Sequence, residues 1–526
     1  VRQNGLRQVF GLHPLSRGLP LPKSRVAHAF GQVWNGCYRC GYSSRIARDS
    51  LFRPFGIALP LGTDFRVKRT PPQNLPRLCP SVFVAKKVGA KLGQRALLQR
   101  ALPAAQNHRD ACRTQDRMNV LLLFRRDLRT FDHSALEQAQ ALGYTCHALF
   151  VWDSKWQNTT PAGFARMGPL PRRFVQQALS ELEQGLGSMG IVLKQLEGPV
   201  LATAIDYARS IGADAIWMHH AWGSEEQADE RNISRVFPTR LFTDFSLFET
   251  LPKVVDPLPF SFTDFRKKIE AVGLPKPNPK SGPFRSLGAL AFDPEADLRS
   301  AFPFKGGESH GWARWNHWKR NGLKHYKETR NEQIGTDYSS KLSPYLAWGC
   351  LSIRDLWADL KHFEAEFGAN ESTYWMGFEW LWREFFLWNW DQKNARFYGY
   401  RKTEVAETPP EAFERWRTGQ TGQPWIDGHM RELLWTGYMS NRGRQNVASY
   451  LIHDLGVQWV WGALWFESAL LDYEPCNNYG NWTYLAGLGN DPRSHRRFDP
   501  KGQQERYDPE HRHSRLWLSE GAEQER

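Results

Sequence analysis

Apolar positions follow two rhythms along this chain. Between 118 and 245, short apolar runs at 120–124, 145–152, 191–196, 215–219 and 240–245 take turns with segments of 3.6-residue spacing. Those segments lie at 135–142, 174–189, 201–211 and 224–236. Strands alternating with helices of this length predict a parallel sheet covered on both faces, an α/β domain over 118–245. From 246 to 310 there are nine prolines. That density breaks helices and pushes preceding residues toward extended geometry, which predicts a connector with few elements of its own. Helical spacing then returns at 311–326, 352–367, 372–390, 410–418, 428–437, 442–455 and 461–473, predicting an all-α domain over 311–500. Residues 501–526 are charged and read as a solvated tail.

Charge changes the picture at the start of the chain. Residues 1–117 carry 21 Lys and Arg against four Asp and no Glu, so the remainder is close to neutral with 48 basic and 51 acidic residues. A nucleic-acid reading of the body therefore needs specific residues rather than bulk charge. The leader is Arg-rich and acid-poor, as organellar transit peptides are. It is expected to be such a peptide or translated upstream sequence, probed by chloroplast or mitochondrial import against an otherwise intracellular, cytoplasmic or nuclear, location. No run of 18 apolar residues predicts a membrane span.

The candidate chemistry concentrates in the helical half. Residues 441–484 read as two helices joined at Gly456, followed by DYEPCNNYGNW, whose Asn, Asp and Gly content predicts a ligand-cradling turn. Composition alone leaves core and site open for its tryptophans. Ser339, Ser340, Lys341 and Ser343 lead into a predicted helix, a hydroxyl-rich start that suits an anion. Glu379, Trp382 and Arg383 fall within one turn, which predicts an i, i+4 carboxylate–guanidinium pair beside an indole. His219, His220, Glu225 and Glu226 cluster after a late strand, where open α/β sheets bind ligands, and the histidines are expected to be hydrogen-bonded structural residues. Cys37 and Cys40 form a lone CxxC without a second pair, so no metal is expected. No G-x-G-x-x-G follows the first strand, which puts cofactor binding elsewhere.

TDYSSKLSPYLAWGCLS, WMGFEWLWREFFLWNW, TGQTGQPWIDGHMRELLWTGYMSNRGRQN and DYEPCNNYGNWTYLAGLGNDPR, in this order behind an α/β domain, resemble the photolyase and cryptochrome family. NRGRQNVASYL followed by DYEPCNNYGNW looks like its DASH-type cryptochromes. The resemblance covers 118–500. It implies FAD in the helical domain, with Tyr326, Ser339, Ser340, Lys341, Leu342 and Ser343 at the pyrophosphate and Arg383 reaching the same cofactor. It further implies Asn441 and Arg444 at the isoalloxazine, Asp472 pairing Arg444, and Asn478 facing flavin N5, where an amide cannot deliver a proton as a carboxylic acid can. Glu474, also expected at the cofactor, stands where the family motif usually has Asp, an extra methylene that would shift a flavin contact.

The implied activity is light-driven splitting of cyclobutane pyrimidine dimers by an electron from reduced FAD, mainly in single-stranded DNA, by a monomer. Glu379 would hydrogen-bond the dimer, Trp382 stack on it, and Asn441, Gln445 and Tyr484 line the pocket. Tyr484 replaces the Trp of duplex-acting photolyases. RNA is the other candidate nucleic acid, and a blue-light photoreceptor without repair is the other functional class. Trp482 and Trp459 match the inner and middle members of an electron-transfer chain, but the outer position is Ala406, with Trp388, Trp390 or Tyr400 as substitutes. Glu225 or Glu226 match an antenna contact, implying 5,10-methenyltetrahydrofolate between the domains.

Overall fold

A computed structural model describes residues 117–273, 289–393, 408–491 and 496–519. The leader up to residue 116, Ala406 and Tyr400 lie outside the described residues.

Among the described residues, five strands, β1 (Asn119–Phe124), β2 (Thr145–Asp153), β3 (Leu193–Gly198), β4 (Ala215–His219) and β5 (Thr239–Phe242), form one parallel sheet in the order β3-β2-β1-β4-β5. The interleaved helices are α1 (Ser134–Ala141), α2 (Pro169–Ser188), α3 (Val200–Ser210) and α4 (Ser224–Val236). β1 is almost wholly buried because it is covered on both faces, which is why its sequence is a near-continuous apolar run. α2 starts five residues earlier than its apolar spacing predicts, with Pro169 at its first turn, where the missing N–H costs nothing. β5 ends at Phe242 rather than 245, and the Asp244 carboxylate instead accepts from the Ser134 N–H and hydroxyl.

The connector contains an element that its prolines hide. α5 (Phe262–Val272) is capped by the Ser261 hydroxyl and buries Phe262, Phe265 and Ile269 on one face. No proline falls inside it, and the flanking ones only set its limits.

The helical part follows as α6 (Glu308–Asn321), α7 (Tyr326–Thr329), α8 (Ser343–Ala347), α9 (Ile353–Phe367), α10 (Glu371–Lys393), α11 (Glu411–Arg417), α12 (Pro424–Thr436), α13 (Asn441–Ser449), α14 (Trp459–Ala469) and α15 (Pro475–Leu485). Two more helices, α16 (Pro500–Tyr507) and α17 (Arg512–Leu518), overturn the reading of the C-terminus as a solvated tail. Asp508 accepts from the backbone of His513 and Ser514, and His513 and Trp517 are fully buried. No helix among the described residues is long and apolar enough to cross a membrane.

The sheet and the helices share one core, which runs from Val120 through Phe174 and Trp348 to Trp315 and Trp380. Polar contacts fix their mutual position. Arg126 donates to the carbonyls of Ala347 and Tyr473 and lies 4.5 Å over the Trp348 ring. Glu308 accepts from the N–H groups of Thr130 and Phe131.

Candidate functional site

The segment expected to be a turn is the helix α15. Glu474 caps it, accepting from the N–H groups of Cys476 and Asn477 and from the Asn477 amide, and Pro475 occupies the first position. The polar residues that argued against a helix are satisfied along it: Asn481 donates to the Asn477 carbonyl and Thr483 to that of Tyr479. Burial of Cys476, Trp482 and Leu485 outweighs the weak helix propensity of Asn and Gly. Both Glu474 oxygens are thus committed to the cap, which gives the longer side chain a structural use.

α13, α14 and α15 bring together most residues expected near the cofactor. Arg444 donates to the Met439 carbonyl and meets Asp472 at 2.8 Å. The other Asp472 oxygen is buried without a hydrogen-bond partner. Asn478 is buried and its amide donates to the Ala463 carbonyl. Asn441, at the start of α13, is exposed.

The loop before α8 forms the second wall. Arg314, fully buried on α6, donates to the carbonyls of Thr336, Ser339 and Ser340 and pairs with Asp337 at 2.7 Å. This bends the loop so that Lys341 adopts a left-handed conformation (φ 59°) and turns inward. Its ammonium lies 3.0 Å from the Tyr338 ring centroid and has no hydrogen-bond partner. Burial pushes the Lys341 pKa well below its ordinary value, and the neighbouring Arg314 adds to the effect. An unpartnered buried cation is costly alone and suits an anionic ligand. Ser340 and Leu342 are buried, whereas Ser343 is exposed and α8 is only five residues long, so the expected helix-start site reduces to the loop itself. Tyr326 is buried beside Trp318 at 5.3 Å. Sequence reasoning missed Arg314, and its one signal was a basic residue among tryptophans in GWARWNHW.

The expected Glu379–Arg383 pair does not form. Glu379 meets Arg330 at 2.8 Å, and Arg383 meets Glu384 at 3.0 Å while lying 4.2 Å over the Phe245 ring. Adjacent packing decides this: Glu384 is fully buried and takes a hydrogen bond from Ser246, so it draws Arg383 toward the sheet end. Trp382 stacks on Phe262 with ring centroids 3.7 Å apart and meets Tyr484 edge-on at 5.5 Å. Tyr484 accepts from Arg496 at 2.6 Å, and Gln445 accepts from Arg442 at 3.0 Å. Glu379, Trp382, Gln445 and Tyr484 therefore occur with Arg330, Arg442 and Arg496, none of which sequence reasoning singled out. Burial raises the Glu379 pKa, against the opposing charge of Arg330.

Trp482 is buried against Phe466 at 5.1 Å and Trp416 at 6.2 Å, and Trp459 meets Tyr479 at 6.1 Å. Trp390 lies 5.8 Å from the other side of this group, at Tyr479. A separate cleft of about 160 Å³ opens between the carboxyl ends of the strands and the helices, lined by Arg125, Arg126, Glu225, Glu226, Trp390 and Tyr479 among others. Glu225 pairs there with Arg166 at 2.9 Å. Beside it, His219 bridges Asp127 and Asp244 at 2.6 and 2.7 Å, and His133 also meets Asp127.

Family models match both halves of the chain: DNA photolyase over residues 120–280, and the FAD binding domain of DNA photolyase over 375–526. Cryptochrome DASH of Synechocystis is 40% identical over 434 residues, covering 76% of this chain and 87% of that protein. Cryptochrome DASH of Danio rerio is 37% identical, covering 76% and 83%. Among solved structures, the Synechocystis cryptochrome matches with a TM-score of 0.68 at 38% identity, covering 76% of this chain and 88% of that one. An archaeal photolyase from Sulfolobus tokodaii matches with a TM-score of 0.60 at 26% identity, covering 77% and 91%. With a parallel-sheet domain joined to a helical FAD-binding domain, the chain belongs to the photolyase and cryptochrome family, as a DASH-type cryptochrome.

Proposed function

We propose that this protein repairs cyclobutane pyrimidine dimers under blue light, mainly in single-stranded DNA. The observation that carries the reading is the grouping of Glu379, Trp382 and Tyr484 with three arginines, a stacking and hydrogen-bonding surface edged with positive charge. The residues present fit FAD, because Lys341 offers a buried ammonium without a hydrogen-bond partner to the pyrophosphate and Asp472 an unsatisfied oxygen beside Arg444. Bound there, it supplies light absorption and the electron exchanged with the dimer.

The chain's own residues do the rest. Arg330 holds Glu379 as a hydrogen-bond acceptor for the dimer, Trp382 and Tyr484 provide ring contacts, and Arg442 orients Gln445. Asn478 would offer the flavin an amide rather than an acid, and so no proton to donate as a carboxylic acid can. Flipping a dimer from a duplex costs a few kcal/mol. Aromatic stacking returns roughly 1–3 kcal/mol per base. Tyr484 is smaller than the Trp of duplex-acting enzymes, which favours single strands, where little is unpaired. The photoreceptor reading has no comparable use for a Glu379–Trp382 pair.

The cleft holding Glu225 and Glu226 is read as the site of a folate antenna. The Sulfolobus tokodaii photolyase is described with two FAD molecules and a novel light-harvesting cofactor, so the absorption spectrum of the purified protein decides between folate and flavin. Plant relatives are named as chloroplastic/mitochondrial, and the acid-poor leader supports the same destination here. The decisive test is blue-light exposure of the FAD-loaded full chain, with reductant, on ultraviolet-irradiated oligo-dT. Restored thymines are expected; dimers unchanged under light with FAD bound would sink the repair reading.

A further inference from the structure

Among the described residues, two buried clusters combine histidines with a carboxylate. In the first, Asp127, His133 and His219, every ring nitrogen is used: His133 bonds Asp127 and the Leu136 N–H, while His219 bonds Asp127 and Asp244. Protons satisfy that cluster, and it needs no ion. The second, His429, Glu432 and His513, is different.

His429 and Glu432 lie one turn apart on α12, and α17 brings in His513, 81 residues from Glu432. All three side chains are essentially inaccessible to solvent. His513 Nε2 stands 3.0 Å and His429 Nδ1 3.7 Å from the same Glu432 oxygen. The imidazoles overlap with centroids 4.1 Å apart. Neither nitrogen of His429 has a hydrogen-bond partner, and neither does Nδ1 of His513. A neutral imidazole always carries one donor and one lone pair, and on His429 Nε2 has no partner while Nδ1 stands beyond hydrogen-bond length from Glu432. Such orphans are rare in folded proteins and each calls for a physical reason.

We propose that His429, Glu432 and His513 form a structural Zn²⁺ site that fastens the C-terminal helix α17 to α12. Tetrahedral zinc with bonds of about 2.0–2.1 Å to nitrogen and oxygen places its donors about 3.3 Å apart, between the two separations observed. Two imidazoles and a carboxylate are borderline donors of the kind zinc takes, and a second Glu432 oxygen or one water completes four positions.

The site lies against the cofactor-side helix. A Cβ on Gly443 of α13 would stand 2.8 Å from His429 Nδ1, and one on Gly428 would stand 3.3 Å from Ser514 on α17. Occupancy would then rigidify the support beneath Arg444.

The full chain, purified with FAD and no added chelator, is assayed for zinc, examined by X-ray absorption at the zinc edge, and melted with and without added Zn²⁺. One zinc per chain in a nitrogen and oxygen shell is expected, with melting raised by roughly 3 °C or more at saturating metal. His429→Gln and His513→Gln should each lower zinc retention at least tenfold while keeping flavin absorbance. Zinc retained equally by both variants, a sulfur-containing shell, or a wild type that binds no zinc and shows no melting shift would overturn the proposal. Should the variants fail to fold, stripping and restoring zinc in the wild type decides: reversible loss and recovery of the melting shift supports the site, and an unchanged midpoint overturns it.

Discussion

Glu379 is held by Arg330, 2.8 Å away on a different segment, and not by Arg383 four residues along its own helix. The consequence is electrostatic as well as geometric. Burial raises the Glu379 pKa and Arg330 opposes that rise. Arg330→Gln should therefore move the Glu379 titration further upward, measured by carboxyl ¹³C shifts against pH; an unmoved titration would show that the pair is weak in solution. On the repair reading, Glu379→Gln loses a charge-assisted contact of about 1.5–3 kcal/mol, roughly 10- to 100-fold in dimer affinity.

Lys341 makes opposite predictions for the empty and loaded protein. Without a ligand it is a buried cation with no hydrogen bond, so Lys341→Met should leave the apo chain as stable or raise its melting temperature. With FAD the same change removes a charged contact, and affinity should fall about 10- to 100-fold. Fluorescence titration of the apo protein with FAD checks the second half. Equal affinity in both proteins would take Lys341 out of the pyrophosphate site.

Where sequence and structure part company, the reason is usually distance along the chain. β1 and β4 are legible because a strand covered on both faces must be apolar throughout, and VLLLF and AIWMH leave little choice. The helix over 353–367 is equally plain, with Ser352 capping its start and Gly368 ending it at φ 85°. α15 was misread because Asn and Gly argue against a helix locally, while the Glu474 cap and the burial of Trp482 act from outside that composition. Within the candidate site, the motif residues were legible through resemblance, but their partners were not. Arg330 reaches Glu379 across 49 residues and Arg314 reaches the Ser339 carbonyl across 25, and no local pattern marks either. The C-terminal helices were lost for a related reason, since their charge looks solvated until Trp517 and His513 are placed against α12.

The carboxyl end of the sheet should show its own pH dependence. Burial opposes ionisation of Asp244, but the hydrogen bond and charge of His219 hold its pKa well below the ordinary carboxylate range. Burial likewise disfavours charge on His219, yet Asp127 and Asp244 together raise it. Asp244 therefore contributes stability that is present above its unfolded pKa of about 3.9 and lost only in stronger acid. His219 contributes stability that is complete below its unfolded value of about 6.5 and lost as pH rises through its raised folded value. Asp244→Asn should cost about 3–5 kcal/mol between these limits by leaving a buried charge underpaired. The difference from wild type should narrow in alkali. Urea unfolding from pH 4 to 9 measures it, and a pH-independent difference would mean His219 keeps one charge state throughout.

The position expected for the outer tryptophan of the electron chain to the flavin is Ala406. Trp459 meets Tyr479 at 6.1 Å, and Tyr479 meets Trp390 at 5.8 Å, so aromatic contact continues from the middle member toward the cleft at the sheet. If photoreduction runs through Trp459, Trp459→Phe should slow it markedly under blue light with external reductant, because Phe is much harder to oxidise. Trp390→Phe should then slow it as well, whereas a change at Trp416, which touches only Trp482 among these members, should have less effect. The rate of loss of oxidised-flavin absorbance distinguishes the three. A Trp459 variant as fast as wild type would move the electron to a path that bypasses this residue, and a Trp390 variant as fast as wild type would end the route at Tyr479.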